Sequence, residues 1–125
     1  MAAAAGSKTG QLFPTGQPQD LIDDIPVTCI HYAVPFLGIT ESDVCFSAAK
    51  LFFAYGLGNG MSFPMAVGAT TALFPGRPTP QAVFEQMRTH QVTLFAGVPT
   101  LYAAMLADPG CTPENTSARL RRCIS

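Results

Sequence analysis

From Leu51 to Gly76 the chain runs for 26 residues without a single Asp, Glu, Lys or Arg. That run limits the fold more than any other feature. About 20 consecutive apolar residues suffice to span a bilayer, so a membrane helix has to be weighed first. Gly56, Gly58, Asn59, Gly60, Pro64 and Gly68 interrupt the run, and no Lys/Arg asymmetry flanks it. Breakers at that density, without flanking charge, favour a buried α/β core over a membrane span. Charged residues make up only 12% of the whole chain, against the ~25% usual in soluble domains. A free-standing domain of this length would cover more of its surface with polar groups, so much of the chain is expected to sit inside something larger.

The net charge of −1 provides no basic footprint for nucleic acid. Cys29, Cys45, Cys111 and Cys123 form no C-x-x-C pair, and His31 and His90 stand at no metal-ligand spacing from them. No metal site is expected, and the cysteines read as reduced packing residues. The start, MAAAAGSKTGQLF, holds no sustained apolar stretch of the kind a secretory signal needs, which leaves a cytoplasmic protein as the expectation.

Alternation of strand and helix organises the rest. Residues 1–26, rich in Ala, Gly, Pro, Gln and Thr, read as a poorly ordered segment, with an ordered domain over 27–125. Val27 to Leu37 reads as a short helix with Tyr32 and Phe36 on one face, followed by a turn over Thr40-Glu41-Ser42-Asp43. Val44 to Ser47, Ala69 to Phe74 and Val92 to Ala96 are apolar runs suited to buried strands, expected as parallel neighbours. Between the first two, Gly56 to Val67 fits a buried helix. Thr79-Pro80 is an N-cap with Pro at the first helical position, opening a helix that turns Val83, Phe84 and Met87 to one side. Gly97-Val98-Pro99 turns into a helix over Thr100 to Ala107 with Leu101, Ala104 and Met105 inward. Pro109-Gly110 stops that helix, Ser117 to Leu120 allows one helical turn, and a last strand begins at Arg122 or Cys123.

The residues alone show no acid-base or nucleophilic constellation, and no catalytic residue is assigned. His31 and His90 lack partners in any evident motif. Gly6-Ser7-Lys8-Thr9-Gly10 lacks the spacing of a phosphate loop and has no strand before it.

The stretch SAAKLFFAYGLGNGMSFPMAVGATTALFPGRPTPQAVFEQMRTHQVTLFAGVPTLYAAM, Ser47 to Met105, resembles the middle of the N-terminal domain of adenylate-forming acyl-CoA synthetases, most closely the benzoate-CoA ligases. The resemblance covers about residues 32 to 125. It implies an α/β fold, a partial three-layer parallel-sheet subdomain of an AMP-binding enzyme's N-terminal domain. It also implies a reaction for the parent enzyme: an aromatic carboxylate such as benzoate reacts with Mg-ATP to give an acyl-adenylate, and CoA then displaces AMP. ATP, Mg2+ and CoA are thus the cofactors of the intact enzyme, and none is expected on these residues alone.

Within Phe52-Phe53-Ala54-Tyr55-Gly56-Leu57-Gly58-Asn59 the resemblance assigns Ala54 and Tyr55 to the acyl pocket; read without it, Tyr55 is an ordinary core aromatic. Arg122-Cys123-Ile124-Ser125 resembles the approach to a Ser-Ala-Gly-Glu segment that contacts the adenylate, which places Ser125 at the edge of the nucleotide site. The family's phosphate loop ends Thr-Gly-x-Pro-Lys-Gly. Thr15-Gly16-Gln17-Pro18 matches its first four positions, but Gln19 and Asp20 stand where Lys and Gly belong. The chain therefore reads as a fragment that should catalyse neither step. The alternative is a non-catalytic α/β remnant or interaction module.

Overall fold

The computed structural model describes residues 29–125. The expectations for residues 1–26, for the glycine-containing stretches at Gly6 and Thr15, and for a helix start at Val27 lie outside the described residues.

Helix α1 (Cys29–Leu37) is wound with π-helical hydrogen bonding and contains Pro35. Pro35 has no N–H to give to an α-helical ladder, and Gly38 ends the segment with φ 59°, in the left-handed region. Cys29, Ala33 and Leu37, four residues apart, are buried. Tyr32 stacks on Phe36, as their spacing predicts, and meets Phe63 edge-on. The turn over 40–43 forms, closed by Asp43 N–H to the Thr40 carbonyl at 3.1 Å.

The sheet has four parallel strands in the order β2-β1-β3-β4: β1 (Val44–Ser47), β2 (Thr70–Ala72), β3 (Leu94–Ala96) and β4 (Arg122–Ile124). Successive side chains of a strand point to opposite faces. Phe46 and Phe95 therefore enter one core with Val83, Phe84, Met87, Leu101 and Met105, while Cys45 and Leu94 enter the other with Cys29, Ala33, Leu37 and Phe63. Helices α4 (Pro80–His90) and α5 (Pro99–Ala107) supply the first set, α1 and α3 (Phe63–Val67) much of the second. A parallel sheet covered on both faces is the three-layer arrangement expected.

The charge-free run divides into α2 (Ala54–Leu57), a π-helical turn (Gly58–Ser62), α3 and β2. Among the described residues no helix is long and apolar enough to cross a membrane. The helical stretch is less buried than expected, since Met61, Met65 and Ala66 face outward. Strand β2 is also shorter than the apolar run that predicts it. It is an edge strand whose partner β1 ends one residue after the Phe46–Ala72 pair, and Pro75 just beyond can donate no ladder bond. Helix α4 is capped as expected: the Thr79 hydroxyl accepts from Ala82 N–H, and Val83, Phe84 and Met87 are buried. On α5, Leu101 and Met105 are buried one turn apart, but Ala104 is exposed. It borders an open cavity beside Arg77, Pro78 and Pro80 instead of the core. Ser117 to Leu120 forms a single hydrogen-bonded turn, and Pro113–Asn115 adds a short 3-10 helix that nothing in the sequence signalled.

At the amino ends of the strands a polar network closes the sheet. The buried Asp43 carboxylate accepts from Thr93 Oγ1 at 2.7 Å and from Arg121 Nε at 2.9 Å on one oxygen, and from Thr40 N–H at 2.8 Å and Arg121 Nη2 at 2.5 Å on the other. Burial opposes its ionisation. The bonds from Arg121, Thr93 and Thr40 outweigh that and hold the carboxyl well below the usual carboxylate range.

Candidate functional site at the carboxyl ends of the strands

In open parallel α/β sheets, ligands bind outside the carboxyl ends of the strands. Here that end is formed by Ser47, Ala72, Ala96 and Ile124 with the segments that follow them. The loop from Ala48 to Phe53 leads from β1 into α2, and its turn is closed by Phe53 N–H to the Lys50 carbonyl at 3.0 Å. Gly56 packs onto this loop so tightly that a Cβ there would come within 2.1 Å of the Lys50 carbonyl oxygen. Only glycine allows that approach, and it fixes where α2 starts.

Tyr55, on the first turn of α2, is half-buried. Its hydroxyl lies 3.0 Å from the Gly97 carbonyl and 3.1 Å from the Ile124 carbonyl, so α2 is fastened to the ends of β3 and β4. Burial pushes the Tyr55 phenol up, with a smaller contribution from Tyr32. The polar tip is thus committed to backbone, which leaves the ring as the part free to meet a ligand. Ala54 beside it is exposed. Ser125 is exposed directly after β4, one peptide beyond the carbonyl that Tyr55 reaches. The fold therefore brings Tyr55 and the approach to Ser125 together and leaves Ala54 open to solvent. His31 and His90 are exposed, and His90 closes helix α4.

Two residues at this end escaped sequence reasoning. Lys50 donates from Nζ to the Phe74 carbonyl at 2.8 Å and the Gly76 carbonyl at 2.5 Å, and sits 5.6 Å from the centre of the Phe74 ring. It ties the end of β1 to the segment after β2. Its position as the last charge before the charge-free run was the available signal. Tyr102, which the sequence places only within the helix over Thr100 to Ala107, donates to the Ile124 carbonyl at 2.8 Å, with the Phe95 carbonyl farther off at 3.3 Å.

A cavity of about 280 Å³ opens beside Lys50, lined by Ser47, Phe52, Gly60, Leu73 and Phe74 among others. Around it the surface is apolar: Phe52 is 81% exposed, Phe53 58% and Leu73 61%. Apolar exposure on this scale marks a surface that normally has a cover.

The described residues do not fit a triphosphate or its Mg2+. No group of three or more His, Cys, Asp or Glu gathers among them to hold a metal ion. The one ammonium at this end, Lys50, is already given to two carbonyls. Cys29, Cys45, Cys111 and Cys123 are all free thiols. Burial, then the neighbouring Asp43 charge, pushes Cys45 up to about 12, so it is no nucleophile.

Residues 26–125 match the profile of the AMP-binding enzymes. The chain belongs to that family. Among relatives of known activity, it is 59% identical over 114 residues to a benzoate–CoA ligase of Thauera aromatica, an alignment covering 89% of this chain and 21% of that protein. It is 52% identical over 113 residues to a 4-hydroxybenzoate–CoA/benzoate–CoA ligase of Rhodopseudomonas palustris, with the same coverage. The fold superposes on the crystal structure of a benzoate CoA ligase from Burkholderia xenovorans LB400 with a TM-score of 0.77 at 51% identity, covering 81% of this chain and 20% of that one. An anthranilate CoA ligase solved in complex with anthranoyl-AMP gives 0.73 at 38% identity, covering 80% and 19%. The chain thus spans about a fifth of the length of these AMP-binding relatives.

Proposed function

We propose that this chain is a segment of an aryl-CoA ligase of benzoate–CoA ligase type, and that it forms one wall of the aromatic-acid pocket. The parent would activate an aromatic carboxylate with ATP to an acyl-adenylate and pass the acyl group to CoA. The observation that carries the reading is the identity to benzoate-activating ligases across nearly the whole chain. The geometry agrees with it. Tyr55 presents a ring whose hydroxyl is already engaged, which suits edge or offset contact with another aromatic ring. Ala54 beside it leaves room. Ser125 would stand at the nucleotide's edge of the same site. Phosphate and Mg2+ would be held by other parts of the enzyme, and residues 1–125 alone should release no pyrophosphate with benzoate and ATP.

The test is a chimera. Residues 26–125 replace the matching stretch of the full-length Thauera aromatica ligase, and benzoate-dependent pyrophosphate release and thioester formation are measured. Activity with benzoate is expected; a folded chimera inactive on every aromatic acid would overturn the reading. Within an active chimera, Ala54→Leu should cost about 1 to 3 kcal/mol in kcat/KM for benzoate by overpacking. Short linear acids should lose less. Equal losses for both would remove Ala54 from the pocket.

A further inference from the structure

We propose that Tyr102 is a positioning residue whose hydroxyl locks the backbone at Ile124–Ser125 to the Tyr55 wall, so that the acid and nucleotide sides of the site move as one unit. The proposal rests on the reading of Tyr55 and Ser125 given above.

Helix α5 starts at Pro99, with two residues separating it from the end of β3, and Tyr102 lies on its first turn. Its ring stands edge-on to Phe95 at 5.5 Å. It also presses against Gly97, where a Cβ would come within 2.9 Å of it. This packing delivers the hydroxyl to the end of β4. The Ile124 carbonyl then faces three donors: Tyr102 Oη at 2.8 Å, Gly97 N–H at 3.0 Å and Tyr55 Oη at 3.1 Å. A carbonyl oxygen has two lone pairs. Gly97 N–H lies on the β3–β4 ladder and Tyr102 is the nearest of the three, so these two fill the oxygen. Tyr55 gives its single proton to the Gly97 carbonyl, 3.0 Å away.

The outcome is a continuous chain of bonds. Tyr102 and Gly97 N–H hold the peptide that leads into Ser125, and Tyr55 holds the other side of the Gly97 residue. A phenylalanine at position 102 would fill the same space but supply no bond. Burial keeps the Tyr102 phenol well above its ordinary value, so it always carries the proton it donates. Without that hydroxyl, the Ile124–Ser125 peptide keeps only the Gly97 N–H bond, so the edge loosens while Tyr55 stays on the Gly97 carbonyl.

The experiment uses the full-length chimera carrying Tyr102→Phe, Tyr55→Phe or both. Loss of one buried hydrogen bond corresponds to about a fivefold effect. Tyr102→Phe should therefore raise KM for ATP about fivefold, change KM for benzoate less than about twofold, and speed amide exchange at Gly97 by a similar factor. The double variant should lose less kcat/KM than the product of the single losses, because the two hydroxyls belong to one chain of bonds that either loss already breaks. Unaltered exchange at Gly97 overturns the clamp. Faster exchange with unaltered KM for ATP overturns its part in the site. An unsubstituted chimera that is folded but inactive would defeat the functional reading, and the exchange measurement would still decide the clamp.

Discussion

The two ends of the sheet are finished in opposite ways. At the amino ends, Asp43, Thr93 and Arg121 satisfy one another, and among the described residues no buried side-chain nitrogen or oxygen lacks a partner. At the carboxyl ends, Lys50, Tyr55 and Tyr102 spend their polar tips on backbone carbonyls while Phe52, Phe53 and Leu73 stay exposed. The first end is complete within the chain. The second is internally braced but uncovered, and it is the end where a parallel sheet places its ligands. The structure thus separates a closed end from an uncovered one, and substitutions at each should fail differently.

The sharpest way to break the comparison is Gly56→Ala. The atom its Cβ would strike is a backbone oxygen that no side-chain rotation can move aside, 2.1 Å away. A stability loss of about 3 kcal/mol is expected, at the upper part of the usual overpacking range. It should be read as a lower denaturant midpoint of the full-length chimera, with aromatic-acid turnover falling as α2 is displaced. A variant of wild-type stability would mean the loop from Lys50 relaxes freely, and the carboxyl end is not braced.

At the other end, Asp43→Asn turns one acceptor oxygen into a donor facing Thr40 N–H and Arg121. Arg121 is 39% exposed and can turn to water, so the cost should lie nearer about 2 kcal/mol than the larger values for fully buried pairs. Turnover per folded molecule should be unchanged. The pH dependence has a definite sign. The Asp43 carboxyl is lowered on folding, so its contribution is complete above the unfolded value of roughly 4 and is lost as pH falls from there toward the folded value. Acid unfolding of the chimera should therefore flatten in Asp43→Asn. An unchanged acid limb would show that the network does not set stability there.

What the sequence made legible follows from the same division. Strands and helices were readable because apolar runs and periodic faces leave a local mark, as at Val44 to Ser47 and at Val83, Phe84 and Met87. Ends were less so: β2 stops early beside a partner with one residue left and a proline just ahead, and Ala104 faces a cavity beside the start of α4. The Asp43 network joins residues 50 and 78 positions apart, and nothing local couples them. Tyr55 stood out by resemblance, whereas its bonds to Gly97 and Ile124 left no trace, because a backbone carbonyl looks the same at every residue.

Lys50 offers the smallest effect and the finest probe of the uncovered end. Its ammonium bridges the Phe74 and Gly76 carbonyls across the gap between β1 and the segment after β2. Both carbonyls lie near the surface, so water can replace much of what is lost, and Lys50→Met should cost only about 1 kcal/mol of stability. The change should be local instead of global. Amide exchange at Phe74, Gly76 and Arg77 should speed up, while exchange elsewhere stays constant. Arginine can reach the same carbonyls with its own donors, so Lys50→Arg should restore most of the protection. If the Lys50→Met segment exchanges no faster than the parent's, the segment after β2 is held by its apolar contacts, and the bracing of this end reduces to the two tyrosines.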